Sequence, residues 1–331
     1  MELGFVGLGR MGGNMVRRLS KGGHRCHIYS IDPNERSALA VETGAIPAES
    51  LAALVAGLPA PRSVWLMVPA GKVTQGVIDE LAALLAPGDC IIDGGNSYFK
   101  DSAARAAALA AKGIAFIDCG TSGGLFGLER GYSQMIGGDD AAVRRNAPIF
   151  ACLAPGVATA PRTPAREGGP IAPGEEGWLH CGPPGAGHYV KMIHNGIEYG
   201  MMQAFAEGFA LFASAGADSV PEQIRYNLDL AGIAEVWRRG SVVSSWLLDL
   251  GADALAEDPG LKGYSPRVAD SGEGRWTVIA GVEQGVSVPV IAASLFERFS
   301  SHDDAAVDSR VLSALRAKFG GHKGVAAPTG T

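Results

Sequence analysis

Lys191, His194, Asn195 and Glu198 lie at relative positions i, i+3, i+4 and i+7 in the otherwise apolar stretch from Gly185 to Gly200. On a helix that spacing gathers a cation, an imidazole, an amide and a carboxylate on one face. The ends of the set are then about 10 Å apart along the axis, and two long side chains converge on a small polar molecule from there. Val190, Ile193, Ile197 and Met201 predict an apolar stripe on the opposing side. A plain surface salt-bridge face explains the pattern less well, because such faces repeat Lys and Glu rather than mixing His with Asn.

A second chemical feature opens the chain. Glu2 to Val6 reads as a short apolar strand, Gly7-Leu8-Gly9-Arg10-Met11-Gly12 follows at once, and Asn14 to Ser20 continues as an amphipathic helix. This is GxGxxG in its strand–loop–helix setting. The first glycine permits the tight turn, the second lets backbone approach a pyrophosphate, and the third lets helix and strand pack closely. The helix N-terminus supplies free N–H groups to the phosphates. A strand from Arg25 to Ser30 should end near the adenosine ribose. It is followed by Ile31 and Asp32, with Asp32 two residues beyond the contact position and Arg36 the nearest arginine. NAD and NADP both stay open on this reading.

The elements that position these groups follow from periodicity. Ser63 to Pro69, Asp89 to Asp93 and Ala115 to Asp118 read as further strands. They end respectively at Val68-Pro69-Ala70, where a cofactor could pass, at Gly94-Gly95-Asn96-Ser97, and at Cys119 to Gly124. Ala-rich helical runs such as Ser102 to Lys112 alternate with them. Strands alternating with helices predict a Rossmann-type doubly wound α/β sheet, with ligands at the carboxyl ends of its strands. Small residues in the last two loops let backbone N–H groups and a hydroxyl approach a polar ligand closely.

The dinucleotide-binding domain is expected over residues 1–180, closed by a Pro/Gly-rich segment at 152–184 read as an extended loop or irregular strands. An all-α domain should follow over 185–322. It is built on one long helix of near thirty residues, then helices at Pro221 to Arg239, Val242 to Leu255, Trp276 to Gln284, Pro289 to Ser300 and Ser309 to Phe319. A disordered tail is expected at 323–331.

At 331 residues with 47% apolar content, the chain can fill two cores. Its net charge of −6 carries no basic block, so nothing suggests nucleic acid or an anionic membrane surface. Five scattered cysteines without a CxxC pair argue against a disulfide framework or a zinc site, and fit reduced thiols in a cytoplasmic enzyme. No metal-ligand cluster is visible. No signal peptide or membrane-spanning run is expected.

Together these residues resemble the 6-phosphogluconate dehydrogenase family of the β-hydroxyacid dehydrogenase group, in a short form with one helical unit. The features that carry the resemblance are Gly7 to Asn14, Asp93-Gly94-Gly95-Asn96-Ser97, the Lys191 to Tyr199 helix, and Arg316 to His322. It implies oxidative decarboxylation of 6-phosphogluconate to ribulose 5-phosphate and carbon dioxide, with NAD or NADP as acceptor. Lys191 matches the family's general base and Glu198 its general acid. Asn96, Ser122, Gly123, Gly124, His194 and Asn195 match contacts to the sugar acid and nicotinamide, with Tyr199 and Arg298 as phosphate contacts. Arg316 and His322 match phosphate ligands given by a neighbouring subunit, which implies a homo-oligomer, dimer or tetramer. The implied chemistry uses a neutral Lys191 to accept the C3 hydroxyl proton. Protonated Lys191 with Asn195 then steadies the enediol, Glu198 protonates C1, and no metal takes part.

One departure stands out. Ser271-Gly272-Glu273-Gly274-Arg275-Trp276-Thr277 replaces a phosphate-binding Lys and Thr of longer relatives. Glu273 would repel a phosphate if it pointed inward. Two alternatives remain. A non-decarboxylating β-hydroxyacid dehydrogenase acting on a short 3-hydroxy acid would share Lys191 and Asn195 but have no use for Arg298, Arg316 and His322. A non-catalytic dinucleotide sensor would have no use for Lys191 and Glu198, and both are present.

Overall fold

The computed structural model describes residues 1–302 and 307–320. Contacts within the chain divide it into two compact units, Met1–Asn195 and Gly196–Thr331.

The first unit is an eight-stranded sheet in the order β3-β2-β1-β4-β5-β6-β7-β8. Its strands are β1 (Glu2–Val6), β2 (Arg25–Tyr29), β3 (Ile46–Pro47), β4 (Ser63–Leu66), β5 (Cys90–Asp93), β6 (Ala115–Ser122), β7 (Ser133–Gly137) and β8 (Trp178–Gly182). The first six pair in parallel, β7 runs antiparallel to β6, and β8 is parallel to β7. The parallel strands are buried on both faces: Phe5, Ile28, Trp65, Ile91, Ile92 and Ile117 are fully enclosed. That is why they read as continuous apolar runs rather than alternating ones. Phe5 stacks on Trp65 at 6.2 Å between ring centroids, and Phe150 closes over the other side of Trp65 at 6.0 Å.

The doubly wound sheet matches the sequence-based expectation, with four local differences. Helix α1 spans Arg10–Lys21 and therefore starts four residues before Asn14, directly on the glycine loop. β4 stops at Leu66, short of Pro69, because a proline has no N–H to extend the ladder. β6 runs on four residues past Asp118 because β7 pairs with its far end, Gly120↔Met135 and Ser122↔Ser133. The Pro/Gly-rich segment contains a regular strand, β8, since Trp178 to Gly182 holds no proline and finds β7 as a partner.

A single helix of 29 residues, Ala186–Ser214, carries the chain from one unit into the other. Its buried side differs from the predicted stripe. His188, Met192, Gly196, Tyr199 and Gly200 are buried, whereas Val190, Ile197 and Met201 are 38%, 52% and 40% exposed. Glycine spacing explains the shift. A Cβ on Gly187 would lie 2.6 Å from the Asp118 carbonyl oxygen and 2.5 Å from that of Met135, so the backbone approaches the sheet where side chains are smallest.

The second unit is helical. Trp237 packs against Phe209 and Phe212, and beside them Ala234, Leu248, Ala252 and Leu255 form a small core. Its helices are Leu230–Arg238, Trp246–Glu257, Glu273–Gln284, Pro289–Ser300 and Val307–Gly320. The helix expected from Pro221 begins only at Leu230, because Asp229 accepts the Gly232 N–H as an N-cap. The one expected from Val242 begins at Trp246 for the same reason, with Ser245 as the cap, and leaves Val242 fully exposed. The expected tail at 323–331 lies outside the described residues.

Candidate active site

The glycine loop shows what each of its residues is for. A Cβ on Gly7, which has φ +92°, would overlap the Met67 carbonyl, and one on Gly12 would overlap the Gly7 carbonyl. Only Gly9 faces open space. Leu8 points into the core, Met11 is half-buried, and Arg10 is exposed. No side chain caps α1 and its first turn holds no acid. An uncapped helix start facing an open glycine is a cradle that suits a dinucleotide pyrophosphate. Pro69 and Ala70 are exposed after β4, with half-buried Val68 before them, and the Thr74 hydroxyl fastens the Pro69 carbonyl at 2.9 Å.

After β2, Ser30 is buried and its hydroxyl donates to the Glu35 carboxylate at 2.7 Å. Asp32 is exposed and caps the next helix, α2 (Pro33–Thr43), by accepting the Asn34 N–H.

At the end of β5 the fully buried Asp93 organises the next loop. It accepts the Ser97 hydroxyl at 2.7 Å and the Gly95 N–H at 3.1 Å, and Arg105 donates to it at 3.3 Å. Ser97 is thereby turned inward and Asn96 is left exposed at the loop tip.

β6 and the long helix meet in a regular register. Asp118, Gly120 and Ser122 alternate along the strand and so share one face. The Asp118 carboxylate accepts the N–H groups of Gly185 at 2.6 Å and His188 at 2.7 Å, satisfying donors that a helix start leaves open. Gly120 lies against Lys191: a Cβ there would overlap the Lys191 Cβ and sit 2.9 Å from the Gly187 carbonyl oxygen. The Ser122 hydroxyl is 3.5 Å from His194 Nε2. Each two-residue step along the strand thus meets about one turn of helix.

That register brings three of the sequence-predicted residues into one cluster. Lys191 Nζ donates to Asn195 Oδ1 at 2.6 Å and lies 3.2 Å from His194 Nδ1, which is itself 2.9 Å from Asn195 Oδ1. An amine held by an amide and an imidazole is oriented for proton exchange and for steadying an oxyanion. Gly123 and Gly124 follow Ser122 at φ +139° and +53°, conformations that glycine alone adopts without strain.

Glu198 belongs to the second unit, where Tyr199 and Arg298 also meet. The Arg298 guanidinium stands 3.5 Å over the Tyr199 ring centroid and donates to the Ala269 carbonyl at 2.7 Å. Asp270 accepts the Gly272 N–H at 3.0 Å, pairs with Arg275 and lies 3.5 Å from the Tyr199 hydroxyl. Burial pushes the Asp270 carboxyl upward, but the bonds from Arg275, Gly272 and Tyr199 outweigh it and hold it below its usual range. Glu273 is 4% exposed at the start of its helix. Arg316 is exposed on Val307–Gly320, and His322 lies outside the described residues.

Asp93, Arg105, Asp118, Gly120 and Asp270 have no role assigned from the sequence, although Asp93 opens the Asp93 to Ser97 motif. The first and third carried a signal: each ends the parallel stretch of an apolar strand, and they are register partners on β5 and β6. Two carboxylates side by side in a sheet core must each find its own donors.

A glycine cradle on a doubly wound sheet, followed by a helical unit and an amine beside the sheet, defines a nicotinamide-dinucleotide-dependent oxidoreductase. Residues 2–160 match the NAD binding domain of 6-phosphogluconate dehydrogenase, and residues 187–323 match its C-terminal domain. The chain belongs to the 6-phosphogluconate dehydrogenase family. It is 41% identical over 324 residues to the NAD(+)-dependent, decarboxylating 6-phosphogluconate dehydrogenase of Haloferax volcanii, covering 98% of each chain. It is 34% identical to the decarboxylating enzyme of Synechococcus elongatus, of which it spans 62%. The fold also superposes on 6-phosphogluconate dehydrogenase of Plasmodium falciparum with a TM-score of 0.78 at 24% identity, covering 100% of this chain and 67% of the other.

Proposed function

We propose that this protein oxidatively decarboxylates 6-phosphogluconate to ribulose 5-phosphate and carbon dioxide. The observation that carries the reading is the Lys191–His194–Asn195 cluster against β6, in a chain whose relatives in Haloferax volcanii and Synechococcus elongatus are named for this chemistry.

A nicotinamide dinucleotide, bound along Gly7 to Gly12 and Val68 to Ala70, supplies the hydride-accepting carbon. The Haloferax volcanii relative is named for NAD(+), whereas the Plasmodium falciparum structures include NADP+. Asn96, Ser122, Gly123, Gly124 and His194 hold the sugar acid. Unprotonated Lys191 accepts the C3 hydroxyl proton as C3 becomes a ketone. Carbon dioxide then departs from the β-keto acid, and protonated Lys191, with Asn195, steadies the enediol oxygen. Glu198 delivers a proton to C1. Tyr199 and Arg298 receive the phosphate, and Arg316 and His322 complete the site of a neighbouring subunit in a cytoplasmic homo-oligomer.

Initial rates with 6-phosphogluconate, followed by nucleotide reduction and by carbon dioxide release, test the reading. Lys191→Met should nearly abolish turnover while leaving nucleotide affinity intact. Wild-type kcat in that variant sinks the assignment. Nucleotide reduction without carbon dioxide favours a short-acid dehydrogenase instead.

A further inference from the structure

We infer that the turn after β2 selects NAD over NADP, with Glu35 as the discriminating group and Arg36 withheld from the nucleotide. The inference rests on the dinucleotide-binding reading of the glycine loop and deepens it.

In a doubly wound sheet the adenosine ribose lies at the carboxyl end of β2. A ribose diol offers two hydroxyl donors, which a carboxylate accepts. A 2′-phosphate is an anion that needs a guanidinium or ammonium partner. This turn presents the first kind of partner. Asp32 and Glu35 are both exposed there, and the Ser30 hydroxyl anchors Glu35 at 2.7 Å, so the carboxylate is held at the strand end.

The cation that could reverse this choice is committed elsewhere. Arg36 is only 7% exposed. It donates through one terminal nitrogen to the Ser30 carbonyl and through the other to Glu49 at 2.9 Å. Its guanidinium lies 5.7 Å from the Tyr29 ring centroid. It therefore braces the turn from the protein side, and freeing it would leave the Ser30 carbonyl and Glu49 without their donor. Arg10 and Lys72 are exposed, but they begin the helices after β1 and β4, not the turn after β2. A 2′-phosphate placed at the strand end faces two carboxylates and no cation from that turn.

Equilibrium binding of NAD+ and NADP+ to the full chain by titration calorimetry, without sugar acid, tests this. NAD+ should bind at least about tenfold tighter, the size of one screened carboxylate–phosphate repulsion. Glu35→Ala should narrow that ratio. Adding Ile31→Arg at a side chain that is 90% exposed should then invert it without disturbing the core. Equal or tighter NADP+ binding by the wild type, or an unchanged ratio in Glu35→Ala, overturns the inference while leaving the dinucleotide reading intact. Binding of neither nucleotide overturns both.

Discussion

Asp118 ties β6 to the start of the helix that carries Lys191, and its removal should be felt at that lysine. The side chain is fully buried and accepts two backbone N–H groups, Gly185 at 2.6 Å and His188 at 2.7 Å. Asp118→Asn keeps the shape but turns an NH2 group toward one of those donors. A hydrogen bond to a charged group contributes about 1.5–3 kcal/mol, and a buried donor left unsatisfied costs about 1–3 kcal/mol. The variant should therefore lose about 2–4 kcal/mol of stability in urea titrations at neutral pH. Lys191 lies one turn beyond His188, so a helix start that slides should also lower kcat by tenfold or more, with the KM for nucleotide little changed. A stability loss below about 0.5 kcal/mol, within the range of ordinary surface changes, would refute the capping argument. A full loss of stability with unchanged kcat in the surviving folded enzyme would refute its link to Lys191.

Other outcomes follow from the same contacts. Gly120→Ala should fold with a penalty of about 1–3 kcal/mol and lose most of its kcat, because its new methyl group overlaps the Lys191 Cβ; undiminished kcat would mean that the strand does not set the lysine. Arg298→Lys removes the fork that stacks on Tyr199 and reaches the Ala269 carbonyl, so KM for 6-phosphogluconate should rise about tenfold with a smaller change in kcat; an equal fall in kcat and kcat/KM would point to a different role. Glu198→Gln should slow protonation of the enediol more than alcohol oxidation in single-turnover measurements, and equal rates of both steps would remove it from the mechanism. Asp270, held below its usual range in the folded state, adds stability that is present above the unfolded carboxyl value near ~4 and is lost as pH falls through the folded value. Asp270→Asn should flatten the acid side of the stability profile in thermal melts, and superimposable profiles would deny it this part.

Local chemistry made much of the molecule legible from its residues. GxGxxG after an apolar strand, and apolar runs ending in small-residue loops, indicated the doubly wound sheet and the ends where ligands bind, since those signals depend on neighbours a few positions apart. Lys191, His194 and Asn195 could be placed together because helical spacing alone brings them there, and the structure joins them by hydrogen bonds. Helix starts were misjudged where Asp229 and Ser245 act as caps, a short-range signal that apolar periodicity hides.

Other features were settled only by the folded chain. β7 and β8 are strands because β6 extends to receive them, and no property of Trp178 to Gly182 alone requires a partner. The side of the long helix that is buried depends on how closely Gly187 and Gly196 let backbone and side chains approach, which hydropathy does not register. Arg36 is the nearest arginine to the end of β2 in the sequence, but only the folded chain brings Ser30 and Glu49 around it as partners. Residue types and spacings along the chain determine which groups can do chemistry. Their direction and charge environment come from contacts between distant segments, and those exist only once the chain has packed.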